Sequence, residues 1–165
     1  MRRPQRIEPG PGQQSVWDFP RPPRLEPNHR HLVVEVAGVT VADTTGGFRL
    51  CETSQAPAFY LPPDDVRADL VVPSARRSWC EWKGEARYWS IRVGDDERVD
   101  AAWSYDVPAD RYAPLAGHVA FYPQRVDRCL VDGEEVVRMD GDFYGGWITT
   151  EVVGPFKGAP GTLHW

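Results

Sequence analysis

A cysteine and a lysine three residues apart form the part of the sequence best suited to covalent chemistry. Cys80 is followed by Lys83, and a nearby ammonium group favours the thiolate, which is the nucleophilic form of cysteine. A catalytic cysteine usually also needs a base, typically histidine. Of the four histidines, only His118 opens a predicted strand that folding could bring near. Cys80 is therefore either a reactive thiol or a buried, inert one, and we favour the second interpretation.

One acidic residue continues an apolar strand face. Glu52 follows Phe48 and Leu50 at the two-residue spacing of a strand. If this face points inward, the carboxylate must be paired, protonated or part of a site. Lys83 is one candidate counter-ion. A structural ion pair or a register that turns Glu52 to water is the alternative, and the sequence leaves both open.

Tryptophan is abundant and clustered. The chain has seven tryptophans, and four of them, Trp79, Trp82, Trp89 and Trp103, lie within a short stretch. Such rings fill the core of a small β domain or wall a pocket for a planar or cationic ligand. Core packing is the simpler interpretation of the two.

Charge and hydropathy exclude several classes of partner. Residues 31–165 carry 13 basic and 21 acidic residues, whereas a nucleic-acid surface needs clustered basic side chains. No apolar run is long enough to cross a bilayer, and the N-terminus lacks the apolar stretch of a signal peptide. We therefore expect a cytoplasmic protein that binds neither nucleic acid nor membranes.

The scarcity of lysine is a second feature of the charge pattern. Only Lys83 and Lys157 are lysines among 19 basic residues, and both lie in a short aromatic-Lys-Gly step. The simplest explanation is a GC-rich genome, because arginine codons contain more G and C than lysine codons.

The three cysteines, Cys51, Cys80 and Cys129, do not indicate a metal site. They include no closely spaced pair, whereas structural zinc sites usually have two such pairs. An odd count without a signal peptide is typical of reduced thiols. We expect no metal and no other cofactor.

Short alternating segments at intervals of about ten residues predict an all-β fold. Residues 31–36 and 39–43 read as a hairpin, residues 78–93 as two strands broken at Lys83-Gly84, and Asp132-Gly133 as a hairpin turn. One short helix is expected at 109–116 and a single helical turn at 62–66.

The chain divides into an arm and a body. Residues 1–30 contain seven of the 16 prolines and predict an extended, partly disordered arm. Residues 31–165 form a single β domain. From about residue 141 a strap rich in glycine and aromatic residues closes it, or covers a ligand, and Trp17 of the arm is expected to dock there.

Several short motifs resemble those of a bacterial family known as domain of unknown function 427. They are ETS at 52–54, YLPPDDV at 60–66, CEWKG at 80–84, AAWSY at 101–105 and VAFYP at 119–123. The resemblance implies a β-tent of small antiparallel sheets, related to the Mss-four-like fold, with a pocket between two sheets. The positions it carries over as site residues are Glu52, Tyr60, Cys80, Lys83, Trp103, Tyr105 and Tyr122.

These observations leave three functional hypotheses, and they do not decide whether the protein is an enzyme. The first is a domain that binds a small molecule in an aromatic pocket of Tyr60, Trp82, Trp103, Tyr105 and Tyr122, with Glu52 and Lys83 as polar contacts. The second is an enzyme in which Cys80 is the nucleophile or redox thiol, assisted by Lys83 and Glu52 or by His118. The third is a protein-interaction module whose arm binds a partner chain or exchanges between the subunits of a homodimer.

Overall fold

A computed structural model describes residues 3–165 as short strands joined by tight turns. Residues 1 and 2, at the start of the arm predicted to be partly disordered, lie outside the described residues. The strands in the described part are β1 (Gln14–Ser15), β2 (Arg24–Pro27), β3 (Leu32–Val36), β4 (Val39–Thr44), β5 (Phe48–Cys51), β6 (Ala58–Tyr60), β7 (Val71–Cys80), β8 (Gly84–Val93), β9 (Asp96–Ser104), β10 (Val119–Phe121), β11 (Arg128–Val131), β12 (Glu134–Glu135), β13 (Val137–Arg138), β14 (Trp147–Ile148) and β15 (Val152–Val153). The predicted all-β class is confirmed.

The strands form three main sheets with orders β10-β9-β8-β7, β12-β11-β3-β4 and β2-β5-β6. All pairs within these sheets are antiparallel. Two small pairs complete the fold, the antiparallel β13-β14 and the parallel β1-β15. The hairpins β3-β4 and β11-β12 are confirmed. Each turns through two residues with positive φ, such as Asp132 and Gly133, as a two-residue turn between twisted strands requires.

The helical segments are short 3-10 turns. They are Val16–Asp18, Pro63–Asp65, Ala68–Leu70, Asp110–Leu115 and Pro123–Arg125. The helix predicted at 109–116 is one of these, because Pro114 supplies no backbone N–H and Tyr112 departs from helical geometry at φ −112°. No helix within residues 3–165 has the length and apolar character needed to cross a membrane.

The start of β7 was missed by the sequence prediction, which began this hairpin at residue 78. Residues 71–77 are mostly polar and include Pro73, which argues against a central strand. β7 is an edge strand of its sheet, and its pairing with β8 is irregular between Pro73 and Arg77. An edge strand tolerates proline because its outer N–H groups need no partner strand.

The sheet β7–β10 packs against a core on each of its faces. Because side chains alternate along a strand, Val119 and Phe121 of β10 point to one core and Ala120 points to another. The first core lies between this sheet and the β3-β4-β11 sheet, where Leu32, Val34 and other aliphatic side chains are fully buried. The second core is largely aromatic.

The sheet β2-β5-β6 covers the second core. It joins β10 through a bridge in which Leu61 and Val119 exchange backbone hydrogen bonds of 2.8 and 2.9 Å. Leu50 of β5 and Tyr60 of β6 belong to the second core. The candidate site lies here.

The arm packs on the body and on the strap. β1 pairs with β15 and β2 pairs with β5. The Trp17 indole N–H donates to the Pro155 carbonyl at 2.8 Å, and its ring lies 5.5 Å from that of Trp165. This is the contact between arm and strap that the sequence predicted.

A buried arginine also ties the arm to the body. Arg49 of β5 is 2% exposed and donates to Gln14 at 2.9 Å and to Glu26 at 2.7 Å. Its guanidinium carbon lies 5.6 Å from the centre of the Phe19 ring. Both β1 and β2 are therefore held to β5 by side-chain contacts besides their backbone pairing.

Candidate functional site

A cavity of about 310 Å³ opens beside the second core. One wall is the face of the β7–β10 sheet that carries Tyr88 and Trp103, and the opposite wall comes from β5 and β6. The turn between β7 and β8 and the strap supply the remaining sides. The cavity therefore lies between two sheets and is partly closed by the C-terminal segment.

The structure brings all eight candidate residues from the sequence to this one cavity. They are Glu52, Tyr60, Cys80, Trp82, Lys83, Trp103, Tyr105 and Tyr122. They are distant in the chain and meet because β5, β6, the β7-β8 turn, β9 and the end of β10 border the same space. His118, the candidate base, does not line the cavity; its ring packs 5.2 Å from that of Phe48.

The inner wall is a set of mutually packed rings. The centroids of Trp103 and Tyr122 are 4.5 Å apart, and Trp103 meets Tyr60 edge-on at 6.1 Å. The Trp103 indole N–H donates to the Tyr60 hydroxyl at 3.2 Å. Burial raises the pKa of Tyr60 and of Tyr105, so both hydroxyls are neutral at physiological pH. The wall is mostly apolar, with phenolic oxygens as its polar atoms.

Lys83 presents a charged group to this wall. The residue is 8% exposed, and its ammonium lies 5.5 Å from the centre of the Tyr105 ring. Burial lowers the pKa of Lys83, whereas the electronegative atoms around the ammonium, namely the Tyr60 oxygen, the Cys80 sulfur and the Glu52 carboxylate, raise it, and the net pKa lies above the ordinary value. Lys83 is therefore protonated at neutral pH.

Glu52 is not the partner of Lys83. Its carboxylate pairs with Arg21 of the arm at 3.3 Å and accepts from the Gln55 amide at 2.9 Å. The hypothesis of a Glu52–Lys83 ion pair is wrong, because Arg21, bound also to the Thr53 carbonyl, occupies that role. The face that carries Leu50 and Glu52 does border the cavity.

Cys80 is half-buried and not sealed in the core. The expectation of a buried, inert Cys80 is therefore wrong in its first part, because the end of β7 borders the cavity. The other two cysteines are buried. Burial raises the pKa of Cys51 to about 11 and raises that of Cys129 further above its ordinary value. In residues 3–165, no three His, Cys, Asp or Glu side chains are grouped to hold a metal ion.

Sequence analysis did not select Lys157, which also lines the cavity. Lys157 is 8% exposed, and its ammonium lies 4.9 Å from the centre of the Tyr144 ring. Both lysines of the chain therefore border one cavity, whereas no arginine among residues 3–165 lines it. The scarcity of lysine and the shared aromatic-Lys-Gly step were the signals that could have found Lys157.

The strap closes the cavity through its glycines. A Cβ on Gly145 would lie 2.5 Å from the Trp103 ring and 3.0 Å from that of Tyr122. The strap therefore packs against the aromatic wall and closes the domain, and it also borders the cavity. At the mouth, Trp79 is 77% exposed and Phe143 66% exposed.

These features define the class of protein, a small all-β domain with an aromatic cavity between two sheets. Residues 24–132 match the model of a family described as a domain of unknown function (DUF427). The match covers about two thirds of the chain, and the protein belongs to this family. No curated protein matches the chain. The strap residues 143–146 and Lys157 lie beyond the matched region.

Proposed function

We propose that this protein binds a small molecule in the cavity beside Trp103. The observation that carries the proposal is the convergence of aromatic and polar side chains on one space of about 310 Å³. Small-molecule sites combine apolar walls, which supply affinity, with a few polar groups that fix orientation. The volume is at the lower end for such sites, so the ligand is small.

The polar groups support a binding site over a simple packing defect. Empty cavities in protein cores are typically apolar, whereas this cavity presents Glu52, Cys80 and Lys83 together with tyrosine hydroxyls. Burying charged side chains beside a void costs free energy unless a partner compensates them. A bound polar molecule is such a partner.

A cavity-filling substitution tests this function. Ala58 lines the cavity, so Ala58→Phe places a ring in the space, whereas Ala68→Phe adds the same ring at an exposed position. Each protein is incubated with a bacterial metabolite extract, desalted and analysed by mass spectrometry for retained small molecules. We expect wild type and Ala68→Phe to retain the same molecule and Ala58→Phe to lose it. Equal retention by all three proteins, or no retention by any, contradicts the proposal.

An enzymatic role for Cys80 is the second candidate. The observation that favours it is that Cys80 and Lys83 border the same cavity, since a cationic neighbour favours the thiolate. The test is alkylation by iodoacetamide between pH 6 and pH 9, followed by peptide mass spectrometry. Rapid labelling of Cys80 at neutral pH that slows in Lys83→Met supports this role. An inert thiol, or a rate that Lys83→Met leaves unchanged, removes it.

We also propose a cellular location, an arrangement of the sheets and a role for the arm. The three free cysteines support a cytoplasmic location. A tent-like arrangement of the sheets over the cavity is proposed from the family.

An interaction through the arm, including a homodimer, is proposed from residues 1–30, and deletion of residues 1–28 tests it. Loss of oligomers with retained fold supports the interaction, and general unfolding shows that the arm is structural.

A further inference from the structure

The charged side chains that line the cavity are not balanced. They are Glu52, Glu81, Lys83 and Lys157. Glu52 is neutralised by Arg21 at 3.3 Å, and Glu81 is exposed to solvent. The two remaining charges are both positive, and both belong to residues that are more than nine-tenths buried.

Neither lysine forms an ion pair with an acid among residues 3–165. No carboxylate of these residues lies within 4.0 Å of either ammonium, and Lys83 has the Cys80 sulfur as a side-chain hydrogen-bond partner. The arginines differ, because many of them pair with acids, as Arg98 does with Asp96 and Asp127. Buried charges in proteins are normally paired. Two cations beside one cavity, without an acidic partner among residues 3–165, therefore point to an anion that comes from outside the chain.

Aromatic rings hold the two ammonium groups without neutralising them. Lys83 lies over Tyr105 and Lys157 over Tyr144, at 5.5 and 4.9 Å from the ring centres. A cation–π contact stabilises the cation and restrains its position. It leaves the net charge in place, so an anion still gains two charge-assisted hydrogen-bond donors.

We propose that the cavity binds a planar aromatic anion, a ring that carries a carboxylate or a phosphate. The anionic group pairs with the ammonium groups of Lys83 and Lys157, and the ring packs against Trp103 and Tyr122. This proposal rests on the proposed small-molecule function and specifies the class of ligand. The same two charges oppose the binding of a cationic ligand.

Three probes of one shape and different charge test the proposal. They are 2-naphthoate, neutral 2-naphthamide and the cation 2-naphthylmethylammonium, titrated into the full chain by calorimetry. We expect 2-naphthoate to bind about tenfold or more tightly than the amide, because a charge-assisted hydrogen bond contributes more than a neutral one. The cation should bind most weakly. 2-Naphthyl phosphate, compared with 2-naphthoate, distinguishes a phosphate ligand from a carboxylate ligand.

Variants of the two lysines assign the effect to the cavity. Lys83→Gln and Lys157→Gln should each remove most of the preference for 2-naphthoate over the amide. Arg92→Gln removes one positive charge from an exposed position and is the matched control, with no expected effect. Thermal melts establish that each variant is folded.

The outcomes separate this proposal from the proposed function. If the amide or the cation binds as well as 2-naphthoate to the wild-type protein, the anion proposal is overturned and small-molecule binding stands. If none of the probes binds at millimolar concentration, the aromatic-anion proposal is overturned, and the retention experiment with Ala58→Phe decides the proposed function. A preference for 2-naphthoate that Arg92→Gln abolishes as fully as the lysine variants also overturns the assignment to Lys83 and Lys157.

A second readout uses the scarcity of lysine. Because the chain has only two lysines, an amine acetylating reagent modifies no other side-chain ammonium. We expect 2-naphthoate, and not the amide, to slow acetylation of both lysines in peptide mass spectra. Equal protection by the two probes contradicts direct pairing of the anion with the ammonium groups.

Discussion

Gly145 lies against the aromatic wall with no room for a side chain, and Gly145→Ala is the most informative single substitution. A Cβ there would lie 2.5 and 2.6 Å from two ring carbons of Trp103 and 3.0 Å from the Tyr122 ring. Gly145 is not among the glycines with positive φ, so alanine is not opposed by the backbone conformation. The effect of the methyl group therefore reports on packing alone.

The expected loss of stability follows from two opposing contributions. Forcing an extra methyl group into a packed region costs about 1–3 kcal/mol, whereas replacing glycine by alanine stabilises by about 0.4–1 kcal/mol through the unfolded chain. The net loss is about 1–2 kcal/mol. For a chain of this length it lowers Tm by about 2–8 °C. Because Trp103 must shift, the cavity also changes shape and probe binding should weaken.

Gly46→Ala is the matched control for this prediction. Gly46 has no positive φ, and its Cβ would meet Pro62 and Thr44 at 3.7 Å, an ordinary contact distance. Both variants are melted with near-ultraviolet circular dichroism as the probe of aromatic packing. Gly145→Ala should melt below wild type and Gly46→Ala at or above it. Equal melting temperatures for the two variants would refute the packing of the strap on the wall.

Two further predictions concern stability. Burial raises the pKa of the Cys51 thiol from 9.0 to about 11, so the unfolded chain loses this proton at a lower pH than the folded protein does. The contribution of Cys51 to the free energy of unfolding should therefore be constant below about pH 9. It should fall by about 2–3 kcal/mol as the pH rises to about 11. Urea unfolding between pH 9 and pH 11 should show a smaller decrease in the free energy of unfolding for Cys51→Ala than for wild type. If the two proteins lose the same free energy over this range, the pH dependence does not come from Cys51. Arg49→Met should destabilise the protein by about 1–3 kcal/mol, because it removes the hydrogen bond to Gln14 and the 2.7 Å ion pair of Glu26, which keeps only its 3.4 Å contact with Arg24. It should also expose the arm to trypsin at Arg24; unchanged digestion would show that the arm does not depend on Arg49.

The hairpins could be predicted from the sequence because their signals are local. Two residues suited to positive φ between alternating apolar segments determine a tight turn, and both β3-β4 and β11-β12 form as expected. The extent of β7 could not be predicted, since residues 71–77 carry no alternating pattern. They are a strand because β8 offers them backbone partners.

The candidate residues of the cavity were selected by residue type, and their grouping required the fold. Tyr60 and Trp103 are 43 positions apart, yet they share a hydrogen bond. The sequence left Glu52 with Lys83 as one candidate counter-ion and a structural ion pair as an alternative, because charge alone does not distinguish Lys83 from Arg21. The path of the arm past β5 brings Arg21 to the carboxylate.

The sequence by itself determined the all-β class, the main turns and the residue types available for chemistry, because these depend on alternation, backbone preference and composition. The tertiary structure decided that Lys83 and Lys157, 74 positions apart, border one cavity with no acidic partner among residues 3–165. That arrangement depends on how the strap crosses the face of the β7–β10 sheet. Contacts between distant segments follow from packing the whole chain, and no local pattern records them.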